Sequence, residues 1–255
     1  MTEDIKSIEK EAHRLLDEKE YQGAAELFSR AAGSHQEHRH HQQAALCFAL
    51  AASCWALKAG EKTFYNAAAM YEKAAREAEA TGNFEYASLL HKHAAICYER
   101  DLEYLGFSEC FYRSKECYRK FLKLSLFDAH KVINEPGGRS LRNSIRQLIS
   151  WCLLTFSWIL WGHGERPQRT IILGCLLIVG YAFIYTLGFV ETRQAVVRPH
   201  LFQAVYYSVI TFTTVGYGDI VPLGLNKVFA ILEALSGLCI APVFITGLCR
   251  KYLRF

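Results

Sequence analysis

Twenty consecutive residues, Ile171 to Val190, carry no charge. A helix rises about 1.5 Å per residue, so a stretch of this length matches the roughly 30 Å hydrocarbon core of a bilayer. Val228 to Leu248 is a second apolar stretch, interrupted only by Glu233. Spanning backbone must satisfy its own hydrogen bonds inside the lipid, which leaves helices or closed barrels. The second half of the chain is therefore constrained to a helical membrane domain.

The first half differs in kind. Up to Leu126 there are 17 basic and 19 acidic side chains, whereas 12 basic and 6 acidic follow from Phe127 onward. The net charge of +4 thus arises beside the apolar stretches, which suits membrane flanks and excludes a nucleic-acid partner. Nine cysteines without a CxxC pair fit reduced thiols better than a secreted disulfide framework. Thr2-Glu3-Asp4-Ile5-Lys6 is polar and charged, unlike an apolar leader, so the N-terminal half is expected in the cytosol.

Between the two apolar stretches an amphipathic segment, Leu201 to Phe212, runs directly into Thr213-Thr214-Val215-Gly216-Tyr217-Gly218-Asp219. A potassium ion in a narrow pore exchanges its water for rings of backbone carbonyls. Aiming successive carbonyls at one axis needs a backbone of alternating hand, and Gly216 and Gly218 take positive φ without a Cβ clash. The run resembles the potassium-channel selectivity filter at every position, and the segment order resembles the two-transmembrane potassium channels. That resemblance implies K+ ligands from the carbonyls of Thr214, Val215, Gly216 and Tyr217 and from the Thr214 hydroxyl, with Gly218 completing the filter. It also implies support from Thr213, Asp219, Tyr206 and Tyr207, and a homotetramer in the lipid bilayer. Tyr217 is the potassium-selective form of the motif, since related non-selective pores often carry an acidic residue there.

An unpaired charge inside a span costs about 2.5 kcal/mol or more, so Glu233 is expected to face protein. Two readings stand: a hydrogen bond behind the filter, or a protonated or hydrated carboxyl near the outer surface. Ile210 occupies the position of a glutamate in some members of the resembled family, a place that Glu233 could fill. Gly237 and Pro242 predict a gating hinge, because glycine loosens a helix and proline removes one of its hydrogen bonds. The bland reading is a packing glycine and a static kink. Ala241, Ile245 and Cys249 share a face of the same helix and are expected to line the inner pore.

Residues 1–126 read as a helical repeat. Tyr21, Ala24, Ala25, Phe28, Ala31 and Ala32 recur 43 positions later as Phe64, Ala67, Ala68, Tyr71, Ala74 and Ala75. Ala44, Ala51, Ala52, Cys54 and Trp55 recur with the same shift as Ala87, Ala94, Ala95, Cys97 and Tyr98. Two helices per period indicate stacked helical hairpins, with a degraded copy around Phe107 to Leu122. The stretch resembles tetratricopeptide repeats, and more closely the longer hairpins of the SNAP family of membrane-fusion adaptors. A protein or peptide partner is expected for it.

Asn134-Glu135-Pro136-Gly137-Gly138 is a strong turn signal and places a linker at 127–144. The apolar segment from Ile145 to Trp161 cannot be a third span, because a further crossing would return the filter loop to the cytosol. With two crossings most arginines and lysines of this half fall inside, as the positive-inside bias requires. Residues 145–167 should instead form an interfacial helix and junction, with Trp151, Trp158 and Trp161 at headgroup depth. Trp161-Gly162-His163-Gly164-Glu165-Arg166-Pro167 resembles the junction before the first membrane helix of small bacterial channels. Arg139, Arg142 and Arg146 lie in a polar segment and do not make a voltage sensor.

The expected architecture is all-α: a repeat domain at 1–126 and a pore domain at 168–255. Within the latter the first span covers about 168–190, the pore helix 201–212, the filter 213–219 and the second span about 226–250. Both termini are expected in the cytosol of a cell-membrane protein, with no C-terminal ligand-binding module. No nucleophile and base, phosphate loop or metal motif can be assembled, so no enzyme and no cofactor beyond permeant K+ is expected. The His35, His38, His40 and His41 cluster reads as a hydrated loop. The competing class is a membrane-anchored adaptor whose pore half does not conduct.

Overall fold

The computed structural model describes residues 2–58, 60, 62–127, 141–192 and 195–252. Most of the expected linker, including its Pro136 turn, lies outside them. The chain divides into two compact units, Met1–Thr155 and Phe156–Phe255. The fold is all-α in class, with one small sheet in the second unit.

In the first unit, six helices follow one another: α1 (Thr2–Asp17), α2 (Tyr21–Glu37), α3 (His41–Leu57), α4 (Thr63–Ala80), α5 (Phe84–Arg100) and α6 (Tyr104–Phe127). Each packs against the next. The repeated alanines explain the packing: Ala24, Ala25, Ala31, Ala32 on α2 and Ala67, Ala68, Ala74, Ala75 on α4 are all fully buried. Side chains this small let helix axes approach closely, and Phe28, Phe48, Leu90 and Tyr98 fill the space between layers.

The turns repeat as faithfully as the helices. Four of them close with the same hydrogen bond, from the backbone N–H of Glu20, His40, Asn83 and Glu103 to the carbonyl of Leu15, His35, Ala78 and Tyr98, five residues earlier. This closure needs a left-handed residue just before the donor. Lys19, Arg39, Gly82 and Leu102 supply it, with φ of 64, 58, 74 and 59°. Only one is glycine, so in the other three the packed helices hold a side-chain-bearing residue in a conformation it disfavours.

All nine cysteines are free, and the five in α3, α5 and α6 are buried as small apolar groups. Burial, followed by the Glu9 carboxylate beside it, pushes the Cys47 thiol up to about 12.

A seventh helix, α7 (Leu141–Trp161), precedes a single 3-10 turn at Gly162–Gly164. The second unit continues with α8 (Gln168–Leu187), α9 (Leu201–Phe212) and α10 (Asn226–Tyr252). Of the described helices, α8 and α10 are long and apolar enough to cross a membrane. Only 22% and 11% of their apolar windows are buried, unlike core helices of a soluble fold. Ile171, Ile172, Leu176, Val179, Phe183 and Leu187 leave one continuous apolar stripe of α8 uncovered. The chain is a membrane protein.

Three short strands, β1 (Val190–Thr192), β2 (Val196–Val197) and β3 (Ile220–Pro222), form an antiparallel sheet in the order β2-β1-β3. Val190 pairs with Pro222 and Thr192 with Ile220. The sheet thus ties the end of α8 to the residues that follow Asp219.

Candidate pore and filter site

The loop between α9 and β3 has the alternating backbone that its glycines suggest. Thr214, Gly216 and Gly218 have φ of 58, 52 and 72°, separated by residues of ordinary hand. Positive φ at Thr214 was not foreseen, since a β-branched residue disfavours it. The end of α9 anchors it. The Ile210 carbonyl accepts from the backbone N–H of both Val215 (2.9 Å) and Gly216 (3.2 Å), and the Thr213 hydroxyl donates to the Val209 carbonyl at 2.7 Å.

At the far end of the loop, the Tyr206 hydroxyl donates to Oδ2 of Asp219 at 2.8 Å, linking the middle of α9 to the last residue of the motif. Tyr207 points the other way and is buried, edge-on to Tyr185 with ring centroids 4.8 Å apart. The N-terminus of α9 is held by Gln203, whose side chain accepts from the His200 backbone N–H at 3.3 Å.

Behind α9 lies a buried polar network. Glu233 on α10 has no exposed surface. Its Oε2 accepts from the Tyr185 hydroxyl of α8 at 2.6 Å, and its Oε1 is in close contact with the Ser208 hydroxyl of α9. Ser208 also lies 2.8 Å from the Ile178 carbonyl. A hydroxyl has one proton and a carbonyl can only accept, so a proton on Glu233 satisfies every group: Glu233 donates to Ser208, which donates to Ile178. The carboxyl therefore ties together both spans and the helix between them.

With the loop, its helix and the two flanking spans in place, comparison with known families is informative. Residues 171–254 match the family described as Ion channel. This segment is an ion channel domain. No curated protein and no solved structure matches the chain. The helical array α1–α6 lies wholly outside the matched segment.

Within the channel domain, Gly237 sits where α10 crosses the end of α9. A Cβ added there would overlap the Phe212 carbonyl oxygen. Glycine is thus required for close packing at the base of the 213–219 loop, a requirement separate from the expected hinge. Pro242 lies inside α10, which is a single helix from Asn226 to Tyr252. Ala241, Ile245 and Cys249 are exposed on one side of it, while Gly247, on the other side, packs against Pro167 and Trp161.

The end of the channel domain away from the sheet is built from the Trp161–Pro167 junction. Gly162, His163 and Gly164 are all left-handed, with φ of 57, 59 and 88°. This sharp reversal brings α8 back beneath the end of α7. There the Thr170 hydroxyl donates to the Leu160 carbonyl at 2.8 Å, and the Arg169 guanidinium donates to the Trp158 carbonyl at 3.0 Å while stacking on the Trp158 ring. Those two side chains cap carbonyls that the helix end leaves open. From α10, Arg250 donates to buried Glu165 at 3.3 Å and lies against the backbone of Gly164.

The histidine cluster is divided, which corrects its reading as a hydrated loop. His35 is directed at Glu9 (2.9 Å), His41 pairs with Glu77 (2.7 Å), and only His38 and His40 stay at the exposed turn.

Proposed function

We propose that this chain is the subunit of a homotetrameric, potassium-selective channel in a cell membrane. The observation that carries the reading is the alternation of left-handed residues through Thr214-Val215-Gly216-Tyr217-Gly218. Such a backbone can present consecutive carbonyls to one axis, and Thr214 through Tyr217 would be the K+ ligands. One copy cannot enclose an ion: Val215 and Tyr217 are largely exposed in the single chain. Four copies around an axis supply the missing walls.

In this reading Tyr206 and Asp219 brace the outer end of the filter, and the Tyr185–Glu233–Ser208 network stiffens the packing behind it. Ala241, Ile245 and Cys249 line the inner pathway, and apolar side chains there close it by dewetting. Pro242 supplies the bend at which α10 splays. Both termini are cytosolic, and K+ is the permeant ion with no other cofactor.

The helical array serves as a regulatory module of tetratricopeptide or SNAP type. A groove between α3, α5 and α6, lined by Leu46, Glu85, Tyr86, Leu89, Lys92 and Tyr118, offers a partner peptide an apolar floor with one basic and one acidic group. The test is deletion of residues 1–126 in a reconstituted channel. A potassium-selective tetramer with altered open probability is expected. Failure of the truncated chain to assemble would make the array an assembly element instead.

A further inference from the structure

Two clusters of the same composition recur in the helical array. In α1–α3, Glu9, His35 and Cys47 converge, and in α4–α6, Glu79, His91 and Cys117 do so. Each takes one residue from each of three successive helices in the same order, carboxylate, imidazole, thiol. In both, the three ligand atoms lie within 4.8 Å of one another. Glu9 Oε1 is 2.9 Å from His35 Nε2 and 3.3 Å from Cys47 Sγ. Glu79 Oε1 is 2.9 Å from His91 Nε2, and the Glu79 carboxylate is also hydrogen-bonded to the Cys117 thiol.

We propose that each cluster is a zinc site, so that the array binds two zinc ions per chain and uses them to pin three helices together. The geometry suits the ion. Ligand atoms at a tetrahedral zinc stand roughly 3.4 Å apart, and the separations of 2.9 and 3.3 Å here lie a little inside that value, so a small outward shift of the side chains admits the ion. The donor set of thiolate, imidazole and carboxylate is one that zinc favours over harder divalent cations. One carboxylate and one thiolate also balance the charge of the ion, which makes its burial affordable.

Binding replaces the thiol proton, which leaves to solvent, and moves the imidazole proton from Nε2 to Nδ1. The Nδ1 atoms of His35 and His91 are both buried, with no partner among the described residues. The carboxylates are the partly exposed members, with side-chain exposures of 30% for Glu9 and 25% for Glu79. They give the ion a way in and leave a fourth position for water.

A third arrangement serves as an internal control. Seven residues earlier on α4 and α6 and seven later on α5, Glu72 accepts from the Cys110 thiol at 3.3 Å and from the Tyr98 hydroxyl at 3.1 Å. This trio has the same carboxylate and thiol with a phenol in place of imidazole. A phenol is not among zinc's usual donors, so this trio lacks the third ligand of the other two.

The experiment uses the full chain in mild detergent, stripped with EDTA and equilibrated with zinc or, as a spectroscopic probe, cobalt. Two zinc ions per chain are expected, with a cobalt–thiolate charge-transfer band. Cys47→Ser and Cys117→Ser should each lower the count to one, the double variant should lower it to zero, and Cys110→Ser should leave it at two. The unchanged helical signal of the metal-free variants checks that they fold. Absence of zinc uptake and of the cobalt–thiolate band in the unaltered chain overturns the proposal, whatever the variants do. So does full zinc uptake by the folded double variant.

Discussion

The Tyr185 hydroxyl donates to Oε2 of Glu233 at 2.6 Å, joining two membrane-spanning helices through a carboxyl that water does not reach. Unpaired charge is costly at such depth, and the neighbouring Ser208 accepts most naturally from a neutral acid. The network's value then lies in its hydrogen bonds, with no need for charge.

Glu233→Gln should therefore preserve it. The amide oxygen accepts from Tyr185 and the amide N–H donates to Ser208, so tetramer yield and conductance should stay within about twofold of the unaltered channel. Glu233→Ala leaves the buried Tyr185 hydroxyl without its acceptor, at about 1–3 kcal/mol, and should weaken the tetramer to heat in detergent. Thermal unfolding of both variants, beside single-channel recording, checks this. A glutamine variant as unstable as the alanine one would show that the charge itself matters.

Gly237→Ala is expected to be severe for so small a change. Its methyl group would overlap the Phe212 carbonyl, which is backbone and cannot rotate aside. Overpacking of this kind costs about 1–3 kcal/mol and pushes on α9 where it enters the filter. Selectivity and conductance should fall together. If opening alone changed, with conduction intact, the residue would act as a hinge and the contact would be incidental.

At the junction before α8, Glu165 is 1% exposed while Arg250 is about one-third exposed. Glu165→Gln should loosen the end of α10 from the junction and shift open probability by several-fold, leaving single-channel conductance unchanged because the pair lies far from the filter in sequence and element. Arg250→Ala should shift it the same way. Opposite effects of the two substitutions would show that they do not act through their shared contact.

Cys249 lies on the face of α10 opposite Gly247. A charged thiol reagent applied from the cytosolic side should reduce current through open channels, and Cys249→Ser should abolish the effect. Reaction at Cys249 with current unchanged would remove the Ala241, Ile245 and Cys249 face from the pore.

What the sequence made legible was whatever is written along one dimension. The uncharged run from Ile171 to Val190 and the alanines repeating every 43 residues each announce a buried or lipid-facing helix by composition and period alone. The β1–β3 pairing was not legible, because strands of two or three residues are too short to show alternation. Nor could the sequence show that His35 leaves its neighbouring histidines for Glu9 and Cys47, or that Ser208 and Tyr185 meet at Glu233. Those contacts join residues brought together only by helix packing. Gly237 is intermediate: its presence suggested a bend, whereas the contact with Phe212 demands a residue without a side chain.

Potassium selectivity is the central claim, and the reversal potential under bi-ionic conditions tests it most directly. The purified chain is reconstituted into a planar bilayer with potassium on one side and sodium on the other, after its detergent-solubilised mass is matched to four copies. The account predicts a reversal potential close to the potassium equilibrium value, block by barium, and a clear loss of discrimination in Tyr217→Asp. A reversal potential near zero in the unaltered channel, with sodium and potassium passing equally, would contradict it.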